Sequence, residues 1–184
     1  MNKYQKLKEE TEAYWENPNM YSDVSGYQFQ PGTKWKPGLS KEQIQELEEE
    51  INFNLSNEIK EYLSVMNGVD REGVNLFAGN RGLNYAAIIY SFPRDIKGIT
   101  DDIEKVIADS SLNRENLTDQ MMVFPLMHNK YILNDESGTV ISMHPGDNVQ
   151  YSDSIEQYLR EVCLGQKHVT SSKDVNDNAQ VWFE

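Results

Sequence analysis

From Ser40 to Gly68 the apolar residues recur twice at the spacing of a helix face, and from Gly73 the pattern changes. A first helix opens at Leu39. Its Ile44, Leu47 and Ile51 share one face, with Glu42, Glu46 and Glu49 opposite. Ser40 and Gln43, three residues apart, make a capping box that satisfies two otherwise unpaired backbone donors reciprocally. Ser56 is the predicted N-cap of a second helix, in which Ile59, Tyr62, Leu63 and Met66 keep the i, i+3, i+4, i+7 pattern. Asn67–Gly68 reads as its stop, because glycine takes the left-handed conformation readily. Two short amphipathic helices joined by Asn52-Phe53-Asn54-Leu55 are a packing element, so they carry no obvious catalyst. The acidic stripe reads as a solvated face, with a docking surface as the alternative.

Beyond the helix pair the chain has the pattern of strands. Val74 to Phe77 and Tyr85 to Ser91 are β-branched or aromatic runs bounded by Gly73, Gly79, Gly82 and Pro93. Met121 to Met127, Lys130 to Asn134 and Thr139 to His144 are three more. The last two flank Asp135-Glu136-Ser137-Gly138, a tight hairpin loop with glycine available for a positive φ. Thr100 reads as the cap of an inserted helix, with Asp101, Asp102 and Glu104 in a first turn favoured by the helix dipole, and Ile103, Val106 and Ile107 inward. A final helix opens at Asp153, with Glu156 completing a capping box, an Arg160 partner for Glu156, and Gly165 as its end. The order predicts an α+β fold: a mainly antiparallel sheet meander flanked by helices.

Outside this frame lie residues 1–37 and 167–184. Tyr4, Leu7, Thr11, Tyr14 and Trp15 give a weak helical period. A Pro/Gly-rich connector then carries Tyr21, Tyr27, Phe29 and Trp35, too apolar for a free linker. The predicted division is therefore an N-terminal helix and connector packed on the core (1–37), a main domain (38–166) and a polar tail (167–184). The connector's aromatics wrap the core or, alternatively, cage a ligand.

Charge narrows the partners. Seventeen Lys and Arg stand against 30 Asp and Glu, a net of −13. That field repels nucleic acid and anionic membranes and attracts a basic partner, although solubility alone is an equal explanation. No apolar run is long enough to span a bilayer and the N-terminus lacks a signal-peptide core, so a cytoplasmic location is expected. A single cysteine, Cys163, precludes an intramolecular disulfide, and its place beside a helix stripe suits a small buried filler.

Chemistry is hard to find. His128 and His144, with Asp135 and Glu136 between them, are a conceivable metal or acid–base site, yet solvated histidines at strand ends need no special role. The Asp101–Asp102 pair is a second conceivable cation site. Gly79-Asn80-Arg81-Gly82 lacks the lysine and setting of a phosphate loop, and nucleophile-elbow, zinc-helix and paired-cysteine motifs are missing. No catalytic residue, metal or cofactor is expected.

"GLSKEQIQELEEEINFNLSNEIKEYLSVMNG", residues 38–68, resembles the N-terminal signature of the SUKH superfamily. Leu47-Glu48 matches the pair within the first helix, Tyr62-Leu63 the aromatic-Leu of the second, and Asn67-Gly68 the stop. Leu55-Ser56 stands where the family usually has Leu-Pro. The strand, hairpin and closing helix in "FPLMHNKYILNDESGTVISMH" and "YSDSIEQYLREV" are similar too, so the resemblance runs over roughly residues 38 to 164. It implies a SUKH-like fold and a non-catalytic binding module: a bacterial immunity protein that neutralises a cognate toxin domain, often a nuclease. The alternative is an intracellular scaffold or regulator like the fungal members. A hydrolase built on His128, His144 and a carboxylate is the third reading. For a basic toxin domain, exposed acids near loop ends are the expected contacts: Asp70, Glu72, Asp101, Asp102, Asp135, Glu136 and Asp147.

Overall fold

A computed structural model describes residues 2–16, 32–69, 89–109, 122–127, 129–142, 150–152 and 154–164, the last strand and Asp109 by backbone alone. Its elements run α1 (Lys3–Trp15), β1 (Trp35–Pro37), α2 (Lys41–Ile51), α3 (Asn57–Val65), β2 (Met66–Val69), α4 (Ile96–Asp109), β3 (Val123–Met127), β4 (Lys130–Leu133), β5 (Val140–Ser142), β6 (Gln150–Ser152) and α5 (Ile155–Leu164). The predicted strand Val74–Phe77, residues 85–88 and the C-terminal tail lie outside the described residues.

The α2–α3 pair forms as its sequence requires. Ser40 Oγ accepts from Gln43 N–H (3.2 Å) while Gln43 Oε1 accepts from Ser40 N–H (2.9 Å), closing the capping box. Asn52 ends α2 in the left-handed conformation, φ 61°, which asparagine tolerates better than most residues. Ser56 caps α3 by accepting from Ile59 N–H at 3.4 Å. Ile44, Leu47, Ile51, Ile59, Tyr62 and Leu63 are buried.

Three element ends differ from expectation. Helix α3 stops at Val65, and Asn67–Gly68 belongs to β2. Asn67 is buried, and its amide closes a two-way clamp on Phe92: Nδ2 donates to the carbonyl (2.7 Å) and Oδ1 accepts from the N–H (2.8 Å). Gly68, φ 72°, lets this strand approach residues 89–91, where a Cβ would lie 2.7 Å from Ile89 O. Helix α4 begins at Ile96, so Thr100 is no cap. Its hydroxyl donates back to the Ile96 and Lys97 carbonyls, and Asp101 and Asp102 fall past the first turn. At α5, which begins at Ile155, the Ser154 hydroxyl accepts from Gln157 N–H (3.1 Å), and the predicted cap Asp153 lies outside the described residues.

Strands β3-β4-β5-β6 make an antiparallel meander, and β1-β2 a second antiparallel pair. Register opposes Phe124 to Ile132, and Ile132 to Val140. These three residues and Leu126 join the main core with α3 and α5, whereas Val123, Tyr131 and Ile141 meet Val106 of α4 in a smaller cluster. The alternation is the two-residue period of a strand, buried here on both sides. Residues 89–91 run beside β3, where Tyr90 N–H donates to Leu126 O (2.9 Å), without the regular pairing expected of a strand. The α+β prediction holds, with β1, β2 and β6 added.

Helix α1 packs on α3 and α5 with Tyr4, Leu7, Thr11 and Trp15 buried. Trp15 and Trp35 lie with ring centroids 5.5 Å apart, and Trp35 Nε1 donates to Thr11 Oγ1 (2.7 Å).

Candidate functional site

Of the seven acids expected to meet a partner, Asp70, Glu72 and Asp147 lie outside the described residues, as do His128 and His144. The other four divide sharply. Asp101 is exposed on α4, paired with Lys97 at 2.7 Å across one helical turn. Glu136 is exposed in the β4–β5 loop. Asp135 is partly buried and organises that loop. Its Oδ1 accepts from Ser137 N–H (2.9 Å), the Ser137 hydroxyl (2.5 Å) and Gly138 N–H (3.2 Å), an Asx-type turn.

Asp102 corrects the expectation of an exposed acid. It is 1% exposed, accepts from Tyr90 O–H at 2.7 Å, and pairs with Lys105 at 2.9 Å. Burial, reinforced by the Asp102 bond, holds the Tyr90 phenol above its ordinary range, so it stays protonated and donates. Asp101 and Asp102 therefore face different environments and do not converge on a cation. Among the described residues, no group of three or more His, Cys, Asp or Glu side chains is arranged to hold a metal ion. Cys163 is buried and its thiol is pushed well above the ordinary cysteine range by desolvation, which suits filler and not nucleophile.

Other charged groups hold elements together. Glu58 receives Lys3 (2.5 Å) and the Tyr4 hydroxyl, fastening α1 to α3. Arg160 joins Glu156 at 3.0 Å to Glu10 of α1; burial opposes its charge, and those two bonds outweigh it and hold the guanidinium above the ordinary arginine range. Glu48 accepts from Leu55 N–H (2.6 Å) and pairs with Lys60 (2.8 Å). Glu42, Glu46, Glu49 and Glu50 point outward on α2, which packs beside α4 with its exposed Asp101 and Glu104. A shallow hollow of about 420 Å³ at the α2–α3 turn is lined by Gln45, Glu48, Glu49, Asn52, Phe53 and Asn54. Helical periodicity marks the α2 acids in the sequence; the hollow depends on how Phe53 folds under the turn and has no linear signal.

Among the described residues, no helix is long and apolar enough to cross a membrane. No curated protein matches the chain. A family model does: that of the SMI1 / KNR4 family (SUKH-1), over residues 38–161. The superfamily takes in toxin-immunity proteins and fungal regulators, generally non-catalytic and acting through protein partners. The match begins at Gly38, ahead of the α2 capping box, and ends within α5, so it spans the helix pair and the whole meander. On that match the chain belongs to the SMI1 / KNR4 family (SUKH-1).

Proposed function

We propose that this chain is a cytoplasmic immunity protein that binds a cognate bacterial toxin domain, a basic nuclease, and neutralises it by occlusion without chemistry. The observation that carries this reading is the acidity of a SUKH-family chain, −13 overall with outward-facing acids along α2. A nuclease must present a positive path to phosphate. An acidic inhibitor is complementary to that path, associates faster through the long-range field, and competes for the same surface. In the proposed surface Asp101 and Glu136 stand with Asp70, Glu72 and Asp147, and Asp135 shapes the loop that presents Glu136. Asp102 drops out because its carboxylate is enclosed.

The test is growth of a neutral bacterial host expressing the C-terminal domain of the adjacently encoded protein, with and without this chain. Toxicity relieved only by this chain supports immunity. Combined Asp101→Lys and Glu136→Lys substitutions are expected to weaken protection at least tenfold in the dose required, with the melting temperature unchanged. Protection unaltered by both would move the surface elsewhere, and a non-toxic neighbour would favour a regulator of a host protein.

A further inference from the structure

Lys130 opens β4 directly opposite Ser142, the last residue of β5, and donates to its hydroxyl at 2.7 Å. By the two-residue period both side chains rise on the face that carries Ile132 and Val140, which are 0% and 1% exposed. The ammonium thus lies at the rim of the main core, partly buried. Many of the other cations have a carboxylate: Lys3, Lys34, Lys60, Lys97, Lys105, Arg94 and Arg160 each form an ion pair. Lys130 forms none among the described residues. Desolvation without compensation pushes its amine down to about 8.

The donor inventory is unbalanced in the same direction. An ammonium has three N–H donors, and Lys130 spends one on Ser142. Ser142 accepts that bond, which leaves its own O–H to donate, and it has no acceptor among the described residues. Two donors 2.7 Å apart, one cationic, therefore lie side by side with no anion between them. That spacing suits the two oxygens of one carboxylate, each taking one donor, a charge-assisted pair of the stronger kind.

We propose that Lys130 and Ser142 form a carboxylate-binding site at the rim of the sheet, taking a small free carboxylate or the acidic side chain of a bound protein. The site is independent of the immunity reading and of the acidic surface used there. The net charge of −13 opposes an approaching anion at long range. At physiological salt, however, charges beyond about 8 Å are screened, so the local pair decides once contact is made.

The test is the titration of Lys130 by NMR in the full-length protein with lysine side chains labelled at Cε and Nζ. It is run in sodium acetate and in sodium chloride of equal ionic strength, then with a capped glutamyl peptide in chloride. A bound carboxylate favours the ammonium, so the midpoint should rise by about one unit in acetate over chloride. Ser142→Ala should at least halve the rise. A saturable rise with both probes assigns the site to free carboxylates as well as side chains; a rise with the peptide alone assigns it to a protein partner. Superimposed curves in acetate, peptide and chloride would overturn the proposal.

Discussion

Asp101 and Asp102 are adjacent in the chain, yet one is exposed beside Lys97 and the other is enclosed by Tyr90 and Lys105. Nothing in the sequence separates them, because burial there is decided by where Tyr90, twelve residues away, comes to rest. Tyr62 shows a similar limit. Its ring lies on the predicted inner face and is 1% exposed, but its hydroxyl has no hydrogen-bond partner among the described residues. Tyr62→Phe should therefore be neutral or stabilising by up to about 1 kcal/mol in denaturant unfolding, whereas a paired buried hydroxyl would cost that much or more. Lys130 gives a pH signature. Its folded pKa of about 8 lies below the ordinary lysine value of 10.5, so between those values the unfolded chain holds the extra proton. Stability should then rise as pH climbs from 8 to 10.5, and the penalty is full below 8. Lys130→Met should gain on the order of 2 kcal/mol at pH 7, discounted for solvent reach, and flatten that rise. A parallel pH profile for the two proteins would contradict the assignment.

At the scale of elements, helix starts are easier to read than helix ends. The box at Ser40 and Gln43 and the cap at Ser56 act within four residues, so local sequence is enough. Asn67–Gly68 carries the letters of a helix stop but serves a contact 25 residues distant, the clamp on Phe92. Thr100 has the look of a cap because acids come after it, and it is an interior residue of α4 bonded back to Ile96. The hairpin is legible since Gly138, φ 61°, and Asp135 are turn chemistry in place. Strands β1 and β2 escape a sequence reading because three or four residues present too little periodicity. Their junction with α3 rests on Gly38: an added Cβ would sit 1.9 Å from Ser64 O and 2.6 Å from Val65 N, both backbone. Leu39 N–H donates to Leu63 O (2.8 Å) at the same crossing, so neither chain can back away freely. Gly38→Ala should cost about 3 kcal/mol or more in thermal or denaturant unfolding. A loss below about 1 kcal/mol would mean the junction is looser than this contact implies.

At the scale of the molecule, the family match and the packing do not have the same limits. The match starts at Gly38, whereas α1, ahead of it, buries Tyr4, Leu7 and Trp15 against α3 and α5 and is fastened by Glu10–Arg160 and by Glu58. Among the described residues, α1 covers the inner faces of α3 and α5, while the outward faces of α2 and α4 and the β4–β5 loop are exposed. These carry Glu42, Glu46, Glu49, Glu50, Asp101, Glu104 and Glu136. The acids are visible as letters, but which of them face outward requires the fold. The proposed neutralisation by occlusion is tested most directly by stoichiometry. A fixed amount of the proposed partner, the C-terminal domain of the adjacently encoded protein, is titrated with this chain while that domain's toxic activity is followed. Occlusion predicts a linear fall that is complete at equimolar chain, with the endpoint independent of incubation time. Full inhibition by a small fraction of an equivalent, growing with time, would contradict it, as would activity that survives a large excess.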